Sequence, residues 1–196
     1  MSNFRDFLFD RGRSRRFALA LAMTGVRMGE RLLMVGDDAP LAAQLAAKVG
    51  LTGRAVVVVG SEAAAARVTG AAAEAGVLLE DVRVGALPSL PVDEGAFDAA
   101  VMDAGPTFLT ALDGPGRLDL ARALARALRP AGRLIVVEGQ PKSPFDLFRG
   151  GARHAVPLRA FRAAGGATTL LEAAGFHPVR LLADRDGQRF TEGLRR

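Results

Sequence analysis

The chain has 196 residues, and its 49% content of hydrophobic residues argues against disorder and suits one globular domain with a full core. It has no cysteine and only two histidines, which excludes disulfides, thiolate metal sites and cysteine nucleophiles and argues against a histidine metal site. The formal net charge is +5, and much of the basic excess lies near the termini, where a solvated surface is the simplest explanation.

The first 27 residues predict a helical extension packed on the domain. Four arginines within residues 11–16 precede an apolar run at residues 17–23, an arrangement that imitates the start of a signal peptide. The run is far shorter than the ~20 residues that a membrane-spanning helix needs. A helix lying on a membrane surface, with Phe4 and Phe7 in its apolar stripe, is the remaining alternative.

From residue 28 onward, strand and helix patterns alternate. Runs that are apolar on both faces predict buried parallel strands at residues 31–36, 54–60, 81–84, 97–103 and 133–138. Apolar residues three or four apart predict helices at residues 39–49, 62–75, 119–128 and 168–174. Ser61 and Gly76 mark the expected start and end of the second helix. Helical crossovers between consecutive strands force those strands to be parallel.

The last part of the chain predicts an antiparallel hairpin. Two strands, at residues 177–183 and 188–193, flank an Asp-Gly turn that ends at Gly187. We therefore expect a single α/β domain over residues 28–196, a Rossmann-like, doubly wound and mostly parallel seven-stranded sheet with a C-terminal antiparallel hairpin. Residues 139–166 contain several prolines and glycines and predict an irregular loop that serves as a lid or binding loop.

Three segments resemble the class I S-adenosylmethionine-dependent methyltransferases. The sequence LRPAGRLIVV at residues 128–137 resembles the family's helix-turn-strand LRPGGRL. Leu87-Pro88 through Phe97-Asp98 resembles its LP…G.FD pattern, and residues 170–176 resemble the helix before its terminal hairpin. The resemblance covers about Met28 to Arg196, and it implies S-adenosylmethionine as cofactor and methyl transfer to a small-molecule substrate.

The resemblance places the cofactor over the turn after the first strand, where this chain departs from the family. The family's Gly-x-Gly-x-Gly falls on Gly36, Asp38 and Pro40. The carboxylate that binds the ribose falls on Val59, and the acidic residue near the adenine falls on Ala86. Charge-assisted hydrogen bonds contribute on the order of 1.5–3 kcal/mol each, so losing two or three weakens binding ~10³-fold or more.

The resemblance implies a set of cofactor-binding candidates at these strand ends: Gly36, Asp37, Asp38, Gly60, Ser61, Ala86, Leu87 and Asp103. Asp37 and Asp38 either hold the cofactor or cap the following helix, since an acidic residue is favourable at a helix start with or without a ligand. Asp103 is also the candidate general base, with a loop cap as the alternative. Glu138 in the same rim and His154 in the irregular loop are weaker candidates, and no metal site is predicted.

Two interpretations of function stay open at this point. The chain is either an S-adenosylmethionine-dependent methyltransferase acting on a small molecule, or a non-catalytic relative that has lost cofactor binding and serves as a binding or interaction module. The second interpretation implies a protein partner or a second copy of the chain. The basic termini alone support a third, an RNA- or membrane-binding module, for which we expect steep salt dependence. The predicted compartment is the cytoplasm.

Overall fold

The structure, a computed structural model, describes residues 18–79, 81–139, 152–185 and 187–196 of the chain. Its seven strands form a single sheet in the order β3-β2-β1-β4-β5-β7-β6. The strands are β1 (Arg31–Val35), β2 (Arg54–Val59), β3 (Asp81–Val84), β4 (Phe97–Asp103), β5 (Leu128–Gly139), β6 (Val179–Arg185) and β7 (Gln188–Leu194). The first five are parallel, and β7 pairs antiparallel with both β5 and β6. The predicted fold class is confirmed.

Six helices cover the sheet in the described part of the chain: α1 (Ala39–Val49), α2 (Glu62–Glu74), α3 (Pro106–Ala111), α4 (Gly114–Ala127), α5 (Ala152–Ala163) and α6 (Gly166–Ala173). Residues 18–23 are also helical, and residues 1–17 of the predicted extension lie outside the described residues. No described helix is long and apolar enough to cross a membrane.

The sheet separates two apolar clusters because alternate strand residues point to opposite faces. Leu32 and Met34 of β1 face α1 and α2, whereas Leu33 and Val35 face the cluster built with α3, α4, α5 and α6. Ala20, from the helical stretch before β1, is buried on the α1 side. Both faces of the parallel strands are therefore covered, as the continuous apolar runs predict.

Three predicted boundaries differ from those of the structure. The helix expected at residue 119 begins at Gly114, because the Asp113 side chain accepts a hydrogen bond from the Gly116 backbone N–H at 2.8 Å and caps it. β5 begins at Leu128 instead of Arg133. The turn expected between the helix and this strand lies inside β5, as a register shift and a positive φ of 61° at Ala131. The final hairpin begins two residues later than predicted, at residue 179.

The predicted irregular loop over residues 139–166 is wrong in its second half. α5 occupies Ala152–Ala163 and α6 begins at Gly166, while residues 140–151 lie outside the described residues. Pro157 lies inside α5, where a proline usually argues against a helix. The helix is stabilised by tertiary packing, since Leu158 and Phe161 are buried in the core.

Candidate active site

The predicted cofactor positions lie together at the carboxyl edge of the sheet. β3, β2, β1 and β4 are neighbours, so the residues that follow them share one rim: Gly36, Asp37 and Asp38, Gly60 and Ser61, Ala86 and Leu87, and Asp103 at the end of β4. Backbone hydrogen bonds continue past the strand ends, from the Gly36 N–H to the Val58 carbonyl at 3.1 Å and from the Gly85 N–H to the Val59 carbonyl at 3.0 Å. Hydrogen bonds to β2 therefore hold the backbone that follows β1 and β3 in place.

Gly36 is required by the packing of the fold. Its φ is +142°, and a Cβ built at this position would lie 2.5 Å from the Asp103 Cβ. Real Cβ atoms do not approach so closely, so the turn after β1 can pass the end of β4 only with a glycine. This one match to the family's glycine pattern thus has a structural reason that holds with or without a ligand.

Both acidic residues of the turn contact the protein. Asp38 is the N-cap of α1, where its Oδ1 accepts a hydrogen bond from the Leu41 backbone N–H at 3.2 Å. Asp37 pairs with Arg67 of α2, with 3.4 Å between Oδ2 and Nη2. The capping alternative is therefore realised for Asp38. Sequence patterns contain no signal for the second contact, because thirty positions separate Asp37 from Arg67.

The ends of β2 and β3 offer space but no carboxylate at the strand end. Val59 is 1% exposed and belongs to the core, and the Ser61 hydroxyl accepts a hydrogen bond from the Ala64 backbone N–H to cap α2. Gly60 and Ala86 are exposed, and a Cβ built at Gly60 would meet nothing within 4 Å. This stretch of the rim is open, and Glu62, also exposed, carries the first carboxylate after β2.

Asp103 lies beside the start of α3. Its Cβ packs against Gly36, and a Cβ built at Gly105, the N-cap of α3, would lie 3.1 Å from the Asp103 Oδ1. The carboxylate is half-buried and close to the backbone that it would cap in the loop-capping alternative. The structure thus places the candidate general base at the rim, next to the Gly36 turn.

Glu138 does not serve as a rim carboxylate open to ligand. It is 0% exposed, its Oε2 pairs with the Arg162 Nε at 2.8 Å, and its Oε1 accepts a hydrogen bond from the Ala167 backbone N–H at 3.1 Å. It connects β5 to α5 and α6. The sequence could not indicate this role, because Arg162 lies in the segment that was predicted to be irregular. The side chain of His154 lies outside the described residues.

The described part of the rim has open space for S-adenosylmethionine but lacks carboxylates at the positions where the resemblance expects them. The open space at Gly60 and Ala86 is where the resemblance expects the ribose and the adenine, but Val59 and Ala86 supply no carboxylate. Asp37 pairs with Arg67 of α2, and Glu62 is exposed at the start of α2. Within the described ranges, no group of three or more acidic or histidine side chains could hold a metal ion.

Comparison with known proteins supports the same fold. No family model and no curated protein sequence matches this chain. Among solved structures, a methyltransferase from Aquifex aeolicus that depends on S-adenosylmethionine is similar, with a TM-score of 0.65, 18% identity and coverage of 92% of this chain and 89% of that one.

Two further structures are similar over most of this chain. A chain in a complex that contains the Haloferax volcanii Trm112 methyltransferase activator has a TM-score of 0.62 and 18% identity, with 95% of this chain and 93% of that chain covered. A possible exported protein from Bordetella parapertussis has a TM-score of 0.62 and 20% identity, with 95% and 68% covered. The chain therefore has the fold of the class I S-adenosylmethionine-dependent methyltransferases.

Proposed function

We propose that the carboxyl edge of the sheet binds S-adenosylmethionine and that the chain transfers its methyl group to a small-molecule substrate. One observation supports this above all: the positions matched to the family's cofactor site meet at one rim, and the rim is open where the nucleoside would lie, at Gly60 and Ala86. The similarity of this chain to the S-adenosylmethionine-dependent methyltransferase from Aquifex aeolicus supports it further.

In this proposal the residues of the rim act by binding and orientation. The turn Gly36–Asp38 would hold the methionine part, Gly60 and Ser61 would hold the ribose, and Ala86 and Leu87 would hold the adenine. Asp103, beside the turn, is the group best placed to accept a proton from the substrate. Bound S-adenosylmethionine supplies the electrophilic methyl group, and holding the acceptor in line with it accounts for most of the rate enhancement.

A second candidate function is a non-catalytic binding or interaction module. It is favoured by the contacts of the turn, since Asp38 caps α1 and Asp37 pairs with Arg67, so neither carboxylate is reserved for a cofactor. A protein partner fits this candidate, and the similar Haloferax volcanii structure is itself a complex with an activator protein. The cytoplasmic location stays a prediction, because one of the similar structures is a possible exported protein.

Isothermal titration calorimetry with S-adenosylmethionine and S-adenosylhomocysteine separates the two candidates. Micromolar binding supports the methyltransferase, and the absence of heat at millimolar ligand supports the binding module. The heat signal is the appropriate readout because the chain has no tryptophan for fluorescence.

The variant Asp38→Gly tests what the turn contributes. If Asp38 holds the cofactor, the change weakens binding; if its side chain blocks the cofactor, the change strengthens binding. We expect no return to ordinary affinity in either case, because Val59 and Ala86 are unchanged, and tight binding by this single variant would contradict that expectation. Asp113→Gly, which removes an equivalent cap from α4, is the matched control for effects on stability alone.

A further inference from the structure

A groove of about 400 Å³ lies between α4, α5 and α6, on the helices that cover one face of β4 and β5. Its lining is mainly apolar. Small residues, among them Gly114, Ala160 and Ala164, keep it open, and the buried ring of Phe161 forms part of its wall. Its volume falls within the range of about 300–1,000 Å³ that is usual for small-molecule sites.

Arg117 is the single charged residue among those that line the groove. Its Nη2 donates a hydrogen bond to the Leu109 carbonyl at 2.6 Å, and its guanidinium carbon lies 5.7 Å from the centre of the Phe161 ring. Its Nε is buried without a hydrogen-bond partner. Across the described ranges no carboxylate lies within ion-pair distance of Arg117, whereas Arg162 of the adjacent α5 is paired with Glu138.

An arginine in this setting has unused binding capacity. A guanidinium offers five N–H donors in a planar fork that matches a carboxylate, and here one of them has a protein acceptor in the described structure. An anion in the groove would supply the missing counter-charge to the half-buried Arg117 and would accept hydrogen bonds from accessible N–H groups of its guanidinium.

We propose that this groove binds a small amphiphilic carboxylate, with its hydrocarbon part against Phe161 and the small residues and its carboxylate on Arg117. A neutral apolar ligand would leave the cation unpaired. A phosphate dianion is matched less well, because the groove offers it a single positive charge. The proposal goes beyond methyl transfer and holds whether or not S-adenosylmethionine binds.

Calorimetric titration of the full chain with decanoate tests the proposal, with decanol as the uncharged probe of the same tail. We expect decanoate to bind and decanol to bind at least tenfold more weakly. Arg117→Met should weaken decanoate binding by about tenfold to a hundredfold, the equivalent of one charge-assisted contact. Arg122→Met is the matched control, since Arg122 lies on the same helix, is 51% exposed, pairs with Asp119 and is absent from the groove lining.

A second variant leaves Arg117 in place, because Arg117 also holds the Leu109 carbonyl and its loss could affect folding. Ala160→Phe puts a ring into the groove from an exposed position of α5 and should abolish binding of decanoate while the melting temperature stays close to that of the unmodified chain. Equal decanoate affinity in the unmodified chain and the Ala160→Phe variant would overturn the proposal, as would no binding to the unmodified chain at millimolar decanoate.

Discussion

At the amino edge of the sheet, where the parallel strands begin, paired charges tie neighbouring strands together, whereas the carboxyl edge carries few such pairs among the described residues. The ion pairs of the amino edge include Arg31–Asp98 at 3.3 Å, Arg129–Asp98 at 2.6 Å, Arg133–Glu30 at 2.7 Å and Arg54–Asp81 at 2.6 Å. The carboxyl edge has Asp37–Arg67 and the buried Glu138–Arg162 beside the parallel strands, and Arg189–Asp184 at 2.8 Å in the C-terminal hairpin.

This difference shows that most ion pairs between the parallel strands lie where those strands begin. The pairs at the strand starts connect β1 to β4, β4 to β5 and β2 to β3, so they hold the order of the sheet independently of any ligand. At the strand ends, the edge at which open α/β sheets bind ligands, the positions of β2 and β3 that the resemblance matches to carboxylates are Val59 and Ala86. The exposed positions Gly60 and Ala86 could therefore change without loss of the fold, whereas Gly36 and the buried Glu138 are fixed by packing.

The pKa values of the amino-edge carboxyls follow from these contacts. Burial alone would raise the pKa of Asp98, but hydrogen bonds from the Arg31 side chain and backbone and from Arg129 outweigh it and lower the pKa to about 2. The hydrogen bond from Arg83 is the main reason why the pKa of Asp81 is lowered, against a smaller opposing effect of burial. Both carboxyls therefore contribute stability in their ionised form.

The largest effect should come from the one buried pair at the carboxyl edge. Glu138→Ala leaves Arg162, only 16% exposed, without its partner and removes the acceptor of the Ala167 N–H. We expect the free energy of unfolding to fall by about 3–5 kcal/mol, measured by urea denaturation with circular dichroism. The double variant Glu138→Leu/Arg162→Leu, which leaves no unpaired charge, should lose less. An equal loss would mean that the pair is not the source of the effect.

Gly36 should show the second largest effect, because the turn after β1 packs there against Asp103 at the end of β4. Gly36→Ala places a methyl group 2.5 Å from the Asp103 Cβ at a φ of +142° and should lower the free energy of unfolding by about 2–3 kcal/mol. Gly60→Ala on the same rim is the matched control, since its new Cβ would meet nothing within 4 Å, and it should change stability by less than about 0.5 kcal/mol. Similar losses in both variants would refute the packing role of Gly36.

Asp98→Asn tests the amino edge directly. It should lower the free energy of unfolding by about 1–2 kcal/mol at neutral pH, discounted because Arg31 and Arg129 are about half exposed. The folded-state pKa lies below the unfolded one, so the Asp98 contribution is present above pH ~4 and is lost as the pH falls toward 2.

Acid titration of stability checks the sign of this contribution. The difference between the unmodified chain and Asp98→Asn should shrink steadily from pH ~4 to pH ~2. Asp119→Asn, at an exposed pair within α4, is the control and should cost less than about 0.5 kcal/mol. A difference that is constant across this range would contradict the role of the ionised carboxyl.

The smallest expected effect is that of Asp38 on stability. Asp38→Gly should lower the free energy of unfolding by only a few tenths of a kcal/mol, and Asp38→Ala by about 1 kcal/mol, because glycine is tolerated at an N-cap and alanine is not. Both can be read from urea midpoints. A loss well above about 1 kcal/mol in both variants would show that the side chain does more than cap α1.

Local patterns predicted most of the fold. The apolar runs of β2 and β4 and the capping serine of α2 carry their own signal, so their positions agree with the structure to within a residue. α5 was missed because Pro157 and the surrounding glycines are typical of loops, and only the burial of Leu158 and Phe161 explains the helix. Tertiary packing of that kind has no local signature.

The candidate site was predictable in position and not in contacts. Residues that follow parallel strands must share an edge, which is why Gly36, Gly60, Ala86 and Asp103 lie along one rim. Their partners come from elsewhere in the chain. The pairing of Glu138 with Arg162 and the apolar groove beside it depend on how α5 packs, so neither could be inferred before the fold was known.

The position of β7 has a consequence for how the chain is made. The last strand in sequence lies inside the sheet, between β5 and β6, and it buries Phe190 and Thr191. During synthesis on a ribosome, β5 cannot pair with β7 until residues 188–194 have emerged. An exposed apolar strand edge can pair with strands of other chains. Arrested synthesis or proteolysis just before Gln188 would therefore leave one edge of β5 unpaired and produce an intermediate that is prone to aggregate.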